Sequence, residues 1–260
     1  MKPAQPFSLR FVGDTAAARA TARSAPSWFA EVPTGGTVVW VDSAAWAGDC
    51  AHALADGARI VIADRPEVTP AEVEALAGKP VVLCDEYTHT PAVREFGRLA
   101  AEVKDGVEWV ELLLRCGDDA RDDLWRALVT LTACGLPIDT VPLVTPSHCL
   151  IADCCSGRAR VHITAVRESS PAGCRAATIK AFGPFGSLEL RLGDPDVANP
   201  GEVIRTDDDR ACLAKPEFQT SRRAALKEAH AALADGLAIT SRLDDYALAS
   251  RLLEQATRAA

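Results

Sequence analysis

The sequence lacks any long hydrophobic run: among its 260 residues, no window reaches the roughly 20 apolar residues that a membrane span needs. It also lacks an excess of basic residues, because 36 Asp and Glu outnumber 28 Lys and Arg and give a formal net charge of -8. Nucleic-acid binding depends on clustered cations, so this balance argues against a nucleic-acid partner. The sequence therefore predicts a cytoplasmic protein that engages neither a membrane nor nucleic acid.

Several short motifs with a known chemistry are missing as well. The chain has no P-loop, no Ser-His-Asp arrangement, no internal repeat and no Cys-x-x-Cys pair. Its nine cysteines are an odd number scattered through apolar segments, which is typical of reduced core thiols rather than of a disulfide framework. Strand alternation sends Cys154 and Cys155 to opposite faces, so we predict no metal site. The soft ligands weighed for one are His148, Cys149, Cys154, Cys155 and Cys174.

Alternating strand-like and helix-like segments fill the first third of the chain. With 48% hydrophobic and 25% charged residues, a chain of this length can bury two modest cores. Four short apolar runs predict a parallel sheet of about four strands. These runs are Phe7–Val12, Thr37–Val41, Arg59–Ala63 and Val81–Cys84. Because ligands bind at the carboxyl ends of such strands, the predicted site consists of the loops 13–15, 42–46, 64–66 and 85–89.

The first of these loops has the position of a dinucleotide-binding turn. The expected Gly-x-Gly-x-x-Gly begins at Gly13, and only this first glycine is present. Thr15 stands where a glycine lets pyrophosphate approach the backbone. Asp14 stands at the predicted helix N-terminus, where a carboxylate is expected to cap the helix and repel phosphate. Gly13 and Thr15 are the candidate cofactor contacts of this loop, and Ser43 and Trp46 are those of the next.

Three segments carry a family resemblance: Asp64-Arg65-Pro66 at the end of a predicted strand, Pro91 to Phe96, and Gly183 to Leu190. They are similar to the Glu-Lys-Pro triplet, the following helix and the Gly-x-x-Gly-x-Leu-x-Leu hairpin of Gfo/Idh/MocA-type NAD(P)-dependent oxidoreductases. The resemblance runs from about Ser8 to the C-terminus. In that family the lysine of the triplet reaches the nicotinamide and the substrate, so the resemblance places Arg65 in the site.

Arg65 differs from a lysine because guanidinium keeps its proton near neutral pH. It can orient a carboxylate or polarise an oxygen, and the alternative is an ion pair with a neighbouring acid. Tyr87 and His89 are better candidates for proton transfer, since phenol and imidazole can both donate a proton. A tyrosine here can also be a packing residue. The segment around Tyr87 is similar to thiazolinyl imine reductases, which implies an imine substrate with Tyr87 as proton donor.

The sequence departs from the family pattern in two further places. Only the segment Pro26 to Gly36 precedes the Thr37 strand, so about one βαβ unit, which would seat the adenosine ribose, is missing. On a later helix, Asp123 takes the place of the family's aspartate, but Ala127 stands at its histidine. Asp123 is therefore a candidate catalytic residue. The missing unit argues against ordinary NAD(P) binding, and no other cofactor is predicted.

The remaining chain alternates apolar and polar residues in short runs. These predict an antiparallel meander of strands at Cys149–Cys155, Arg160–Val166, Ala176–Phe182 and Ser187–Leu192. The predicted fold class is α/β, with a truncated Rossmann-like parallel-sheet domain (1–90) followed by an α+β domain with a mostly antiparallel sheet (91–260). The polar segment Asp194 to Arg210 is expected to be a mobile loop. In the resembled family the second-domain sheet makes homo-oligomers, so a homo-oligomer is expected here.

Two functions remain open. The first is a divergent Gfo/Idh/MocA-like oxidoreductase that reduces an imine or carbonyl of a small biosynthetic intermediate. The second is a descendant that has lost nucleotide binding and uses the same crevice for a non-redox reaction, ligand binding or partner regulation. The family resemblance favours the first. Asp14, Ala127 and the missing unit favour the second.

Overall fold

The computed structural model describes residues 5–25, 27–64, 69–85, 87–116, 120–145, 149–167, 176–194, 201–207, 209–237, 239 and 243–259. The chain divides into two compact units. The first contains residues 1–89 and 221–247, and the second contains residues 90–220 and 248–260. The expected division placed all of residues 91–260 in the second domain, whereas residues 221–247 pack with the first unit.

In chain order the elements are β1 (Phe7–Gly13), α1 (Ala16–Arg23), β2 (Phe29–Glu31), β3 (Val38–Asp42), α2 (Trp46–Ala55), β4 (Ile60–Asp64), α3 (Pro70–Leu76), β5 (Val81–Cys84), α4 (Pro91–Val103), β6 (Trp109–Cys116), α5 (Ala120–Ala133), β7 (Thr140–Thr145), β8 (Cys149–Ser156), β9 (Ala159–Arg167), β10 (Ala176–Gly183), β11 (Gly186–Leu192), β12 (Glu202–Thr206), β13 (Ala211–Leu213), α6 (Ser221–Asp235) and α7 (Leu243–Ala259).

The first unit is built on a parallel sheet with the strand order β2-β1-β3-β4-β5. Its central strands are continuous apolar runs because helices cover both faces, α1 and α6 on one and α2 and α3 on the other. Val38 to Val41 and Ile60 to Ala63 are buried throughout. The expected four strands are present, and β2 is a fifth that the sequence analysis missed.

Strand β2 corrects the estimate of what the first unit has lost. It pairs in parallel with β1, in register from Phe7 opposite Phe29 to Leu9 opposite Glu31. The chain then passes directly to β3, and residues 32–37 form no helix or further strand. Relative to a dinucleotide-binding fold, the described part of this unit therefore retains the second strand and lacks the helix and third strand that would follow it.

The second unit contains an eight-stranded sheet in the order β13-β12-β11-β10-β6-β9-β8-β7. The predicted strands form, but they are not a simple meander, because β6 lies between β10 and β9 and runs parallel to β9. Parallel pairing needs a crossover, which the chain makes through α5 and the β7-β8 hairpin. The expected loop from Asp194 to Arg210 is corrected at residues 202–206, which form β12. Helices α4 and α5 pack against this sheet.

Candidate functional site

The carboxyl edge of the parallel sheet carries an acidic residue at nearly every strand end. β2, β3 and β4 end in Glu31, Asp42 and Asp64, and β5 is followed at once by Asp85. Parallel strands present their carboxyl ends at one edge, where ligands of such folds bind. The described residues of the predicted loops therefore lie at one edge of this unit's sheet. The partners of these acids decide which of them can receive a ligand.

Gly13 makes the turn between β1 and α1. Its φ is +90°, a conformation that L side chains rarely adopt, and a Cβ there would collide with the backbone oxygen of Asp42. The turn is held to β3 by the backbone, since the Asp14 N–H donates to the Asp42 oxygen at 3.0 Å. Glycine is thus required at position 13 to bring the start of α1 close to the end of β3.

The expectation that Asp14 caps α1 is wrong. Thr15 is the N-cap residue, and no side chain makes a capping hydrogen bond. Thr15 is 3% exposed, and its Oγ1 accepts a hydrogen bond from Arg19 Nε at 3.1 Å, so it does not project into solvent. Asp14 is exposed. The first turn of α1 consequently keeps backbone N–H groups without a side-chain acceptor, which is the state that an anion requires.

Glu31 is a functional candidate that the sequence analysis missed. It ends β2, eighteen positions after Gly13, close to the spacing of about 20 residues at which dinucleotide-binding folds place an acid for the ribose hydroxyls. Its carboxylate forms an ion pair with Arg19, which also lies 4.6 Å over the Phe11 ring. The sequence signal that could have identified Glu31 is its distance of eighteen positions from Gly13. A three-residue strand is too short to show a pattern of its own.

The second predicted loop is occupied by internal contacts. Ser43 Oγ donates a hydrogen bond to Asp49 Oδ2 at 2.5 Å, and Asp49 lies in the first turn of α2. Trp46, the first residue of α2, is 2% exposed. The ring of Trp46 belongs to the core, and the hydroxyl of Ser43 already has a partner. Their roles as cofactor contacts stay predictions.

Asp64, at the end of β4, forms a buried ion pair with Arg222 of α6. Arg222 Nε lies 2.8 Å from Asp64 Oδ2, and the two side chains are 12% and 3% exposed. Arg222 is not predicted from the sequence, because it lies 158 positions from Asp64 along the chain. Arg65, at the position of the family's lysine, lies outside the described residues. A buried carboxylate needs such a partner, so Asp64 has a structural role at this strand end.

A hydrogen-bond network organises the turn after β5. Asp85 Oδ1 accepts from the backbone N–H groups of Tyr87 and Thr88, both at 2.7 Å. Asp85 Oδ2 accepts from the hydroxyl of Tyr246 at 2.8 Å, and Thr88 Oγ1 lies 3.1 Å from the same hydroxyl oxygen. Tyr246 is fully buried, and burial followed by the nearby Asp85 charge raises its pKa well above the ordinary value. The hydroxyl therefore stays protonated and donates.

The predicted proton donors Tyr87 and His89 lie beside this network. Tyr87 is 3% exposed and His89 is 6% exposed. His89 Nε2 contacts the backbone oxygen of Leu83, and its Nδ1 lies 3.3 Å from Glu228 Oε2 of α6. A carbonyl oxygen only accepts, so Nε2 carries a hydrogen. The structure thus places both residues in a buried layer, and their catalytic roles stay predictions.

Asp123 belongs to the second unit, on α5. It is 1% exposed, and its Oδ1 lies 3.6 Å from Arg126 of the next turn. Ala127, at the position of the family's histidine, is fully buried one turn further along. The carboxylate of Asp123 is therefore buried in the packing around α5. Its catalytic role also stays a prediction.

The alternation expected at Cys154 and Cys155 is confirmed, since Cys154 is buried and Cys155 is exposed. In the described part of the chain, no three His, Cys, Asp or Glu side chains are grouped as metal ligands would be. His148 and Cys174 lie outside that part. Among the described helices, none has the length and hydrophobicity to cross a membrane.

Comparison with solved structures gives full-length matches. The chain is similar to an oxidoreductase from Sinorhizobium meliloti, with a TM-score of 0.72, 14% identity and coverage of 98% of this chain and 97% of that one. It is also similar to GenD2 from gentamicin A biosynthesis, solved in complex with NAD. That match has a TM-score of 0.68 and 16% identity, and it covers 100% of this chain and 95% of that one. A third match is the UDP-N-acetylglucosamine 3-dehydrogenase GnnA from Acidithiobacillus ferrooxidans. Its TM-score is 0.68 at 12% identity, with coverage of 98% of this chain and 97% of that one.

No protein-family model matches the sequence, and no curated protein matches it. At identities of 10% to 16% the structural matches establish the fold. The chain has the fold of Gfo/Idh/MocA-type oxidoreductases, a Rossmann-like parallel-sheet domain with a second, mostly antiparallel sheet. This confirms the fold class predicted from the sequence, and it confirms the resemblance at the level of the fold.

Proposed function

We propose that this chain is an NAD(P)-dependent oxidoreductase that acts on an imine or carbonyl group of a small biosynthetic intermediate. The observation that carries the proposal is the turn from β1 to α1. It combines an obligatory glycine, an uncapped helix N-terminus and an acid at the end of the neighbouring strand. The fold supports it, since matched structures include one in complex with NAD and one dehydrogenase.

The residues at this turn fit a dinucleotide. The α1 N-terminus would receive the pyrophosphate, because its first N–H groups and the helix dipole both favour an anion. Gly13 permits the close approach, and Thr15 leaves room because its side chain is buried against Arg19. Glu31 would accept the ribose hydroxyls in exchange for its ion pair with Arg19. The cofactor supplies or receives the hydride.

The protein side of the chemistry is assigned to the sequence-predicted residues. Tyr87 or His89 would donate the proton to the nitrogen or oxygen of the substrate, and Arg65 would orient its polar groups. Tyr87→Phe keeps the ring but removes the donor, so activity on a reducible substrate should fall at least ~100-fold with little change in melting temperature. An active Tyr87→Phe variant would leave Tyr87 as a packing residue.

Titration with NADH and NADPH, followed by nicotinamide fluorescence, tests the cofactor assignment. We expect binding of NADH, and about tenfold weaker binding in Glu31→Gln, since one hydrogen bond to a charged acceptor is worth about 1.5 kcal/mol or more. Glu74→Gln, at an exposed position on α3, is the matched control. When NADPH is titrated, its 2′-phosphate would be attracted by the Arg19 guanidinium and repelled by the Glu31 carboxylate. No binding of either nucleotide to the folded protein would contradict the proposal.

One observation favours the second function. The Asp64–Arg222 pair and the Asp85–Tyr246 network occupy polar groups at the ends of β4 and β5, where a reacting substrate would need them. If nucleotides do not bind, a non-redox reaction, ligand binding or partner regulation at the same edge becomes the better account. The fluorescence titration thus separates the two functions.

We also propose that the second unit forms homo-oligomers through its sheet. One face alternates charged with partly exposed apolar side chains, and the latter are Trp109, Leu113, Ile151 and Val166, each 37% to 39% exposed. Light scattering should give a multiple of 27.6 kDa, and Leu113→Glu should reduce it. A monomer mass at all concentrations would exclude the oligomer.

A further inference from the structure

A cavity of about 380 Å³ lies at the opposite edge of the parallel sheet from the predicted site. It forms where β4 and β5 begin, since its lining includes Ile60, the first residue of β4, and Pro80, which precedes β5. The Val61 N–H donates to the Pro80 oxygen at 3.0 Å, which joins the two strand starts. The far wall comes from Ala232 and Leu233 of α6 and from Leu237 and Ile239. This cavity has no part in the proposed nucleotide chemistry.

The lining combines an apolar wall with two cations. Leu233, Leu237 and Ile239 supply the apolar wall, and Leu237 is 59% exposed. Arg59 and Lys79 are exposed and reach the cavity from the two strand starts. Neither cation has a carboxylate partner among the described residues.

The charge of this cavity is opposite to that of the chain. The protein carries a formal net charge of -8, yet none of the nine lining residues is acidic, and two are basic. Both cations line the same cavity, so an anion bound there would be attracted by both of them. An apolar segment attached to the anion would cover the exposed leucine.

We infer that this cavity is a binding site for a medium-chain aliphatic carboxylate. The carboxylate would lie against Arg59 and Lys79, and the alkyl chain would lie along Leu233, Leu237 and Ile239. The volume is near the lower end of the range for ligand pockets, about 300 to 1,000 Å³, which suits a ligand of about a dozen non-hydrogen atoms. Binding here is independent of the nucleotide edge.

Calorimetric titration of the full-length protein with sodium decanoate, below its micelle concentration, tests the site. We expect saturable binding that weakens about tenfold in Lys79→Glu and in Arg59→Glu, because each replaces an attraction by a repulsion. Leu237→Glu should weaken binding similarly by placing a carboxylate in the apolar wall. Lys227→Glu makes the same charge change on the exposed face of α6 and should bind like the unaltered protein.

Head-group analogues separate this site from simple hydrophobic adsorption. Decanol and decyltrimethylammonium should bind at least about tenfold more weakly than decanoate, and acetate should show no saturable binding. Equal binding of decanol, an equal loss in Lys227→Glu, or unchanged affinity in the folded Lys79→Glu and Leu237→Glu variants would each overturn the assignment. Thermal melts of every variant establish that it is folded.

Discussion

The hydroxyl of Tyr246 offers the sharpest test of how the turn after β5 is held. Tyr246→Phe removes only one oxygen and keeps a fully buried ring. That oxygen donates to Asp85 Oδ2 at 2.8 Å and contacts Thr88 Oγ1 at 3.1 Å. Hydrogen bonds to a charged group contribute about 1.5 to 3 kcal/mol, and the Asp85 carboxylate, 9% exposed, would lose the side-chain donor at its Oδ2 while it keeps the two backbone donors at Oδ1. We therefore expect a loss of about 2 to 3 kcal/mol in the free energy of unfolding.

Urea denaturation measures this loss. The slope of the free energy of unfolding against urea concentration should stay unchanged. Thr88→Val is the matched variant, because it removes one neutral contact to the same hydroxyl and should cost about 1 kcal/mol. The double variant should be less destabilised than the sum, since the two groups touch. Amide exchange at Tyr87 and Thr88 should also accelerate in Tyr246→Phe. A loss below about 0.5 kcal/mol, or strict additivity, would refute this account of the network.

Three other perturbations concern a buried ion pair, the turn at Gly13 and two buried thiols. Arg222→Met should cost about 3 to 5 kcal/mol in urea denaturation, because it leaves buried Asp64 uncompensated, and a loss under 1 kcal/mol would show that water replaces the guanidinium. Gly13→Ala should lower the free energy of unfolding by about 2 kcal/mol or more, or prevent folding, because the backbone has a positive φ there and the added Cβ would collide with the Asp42 oxygen. An unchanged free energy of unfolding would contradict this geometry of the turn. Burial raises the thiol pKa of Cys50 and of Cys154 from 9.0 to about 12, so the folded protein holds protons that the unfolded chain releases above pH 9. Stability should thus fall by about 1 kcal/mol per thiol between pH 9 and pH 10, and Cys50→Ala should make that fall shallower; an equal fall in the variant would exclude this thiol as its source.

The sequence predicted those parts of the fold that depend on the pattern of neighbouring residues. Continuous apolar runs marked β3, β4 and β5, because a strand covered on both faces has no polar side. The start of α3 is determined locally as well, since Thr69 and Glu72 form a reciprocal capping pair there. By contrast, β2 has three residues, too few for any periodicity to show.

The order of strands in the second sheet and the partners of the site acids are not local. The insertion of β6 between β10 and β9 joins strands that are far apart in the chain, and nothing in either strand's alternation specifies it. Tyr246 meets Asp85 across 161 positions, and Arg222 meets Asp64 across 158. A buried carboxylate predicts that some donor exists, but only the folded chain identifies it. The prediction that Asp14 caps α1 was wrong because the helix begins one residue later than expected, with Thr15 at the N-cap position.

The return of α6 to the first unit determines when that unit can finish folding during synthesis. Ala225, Leu226 and Ala229 close the sheet face that carries Val38 and Trp40. Until they leave the ribosome, that face has no cover on the α6 side. At about 5 to 20 residues per second, the wait between β5 and α6 lasts on the order of 10 s. A nascent chain stopped near residue 90 would therefore expose an apolar sheet and engage chaperones, whereas a chain released from the ribosome with α6 would not.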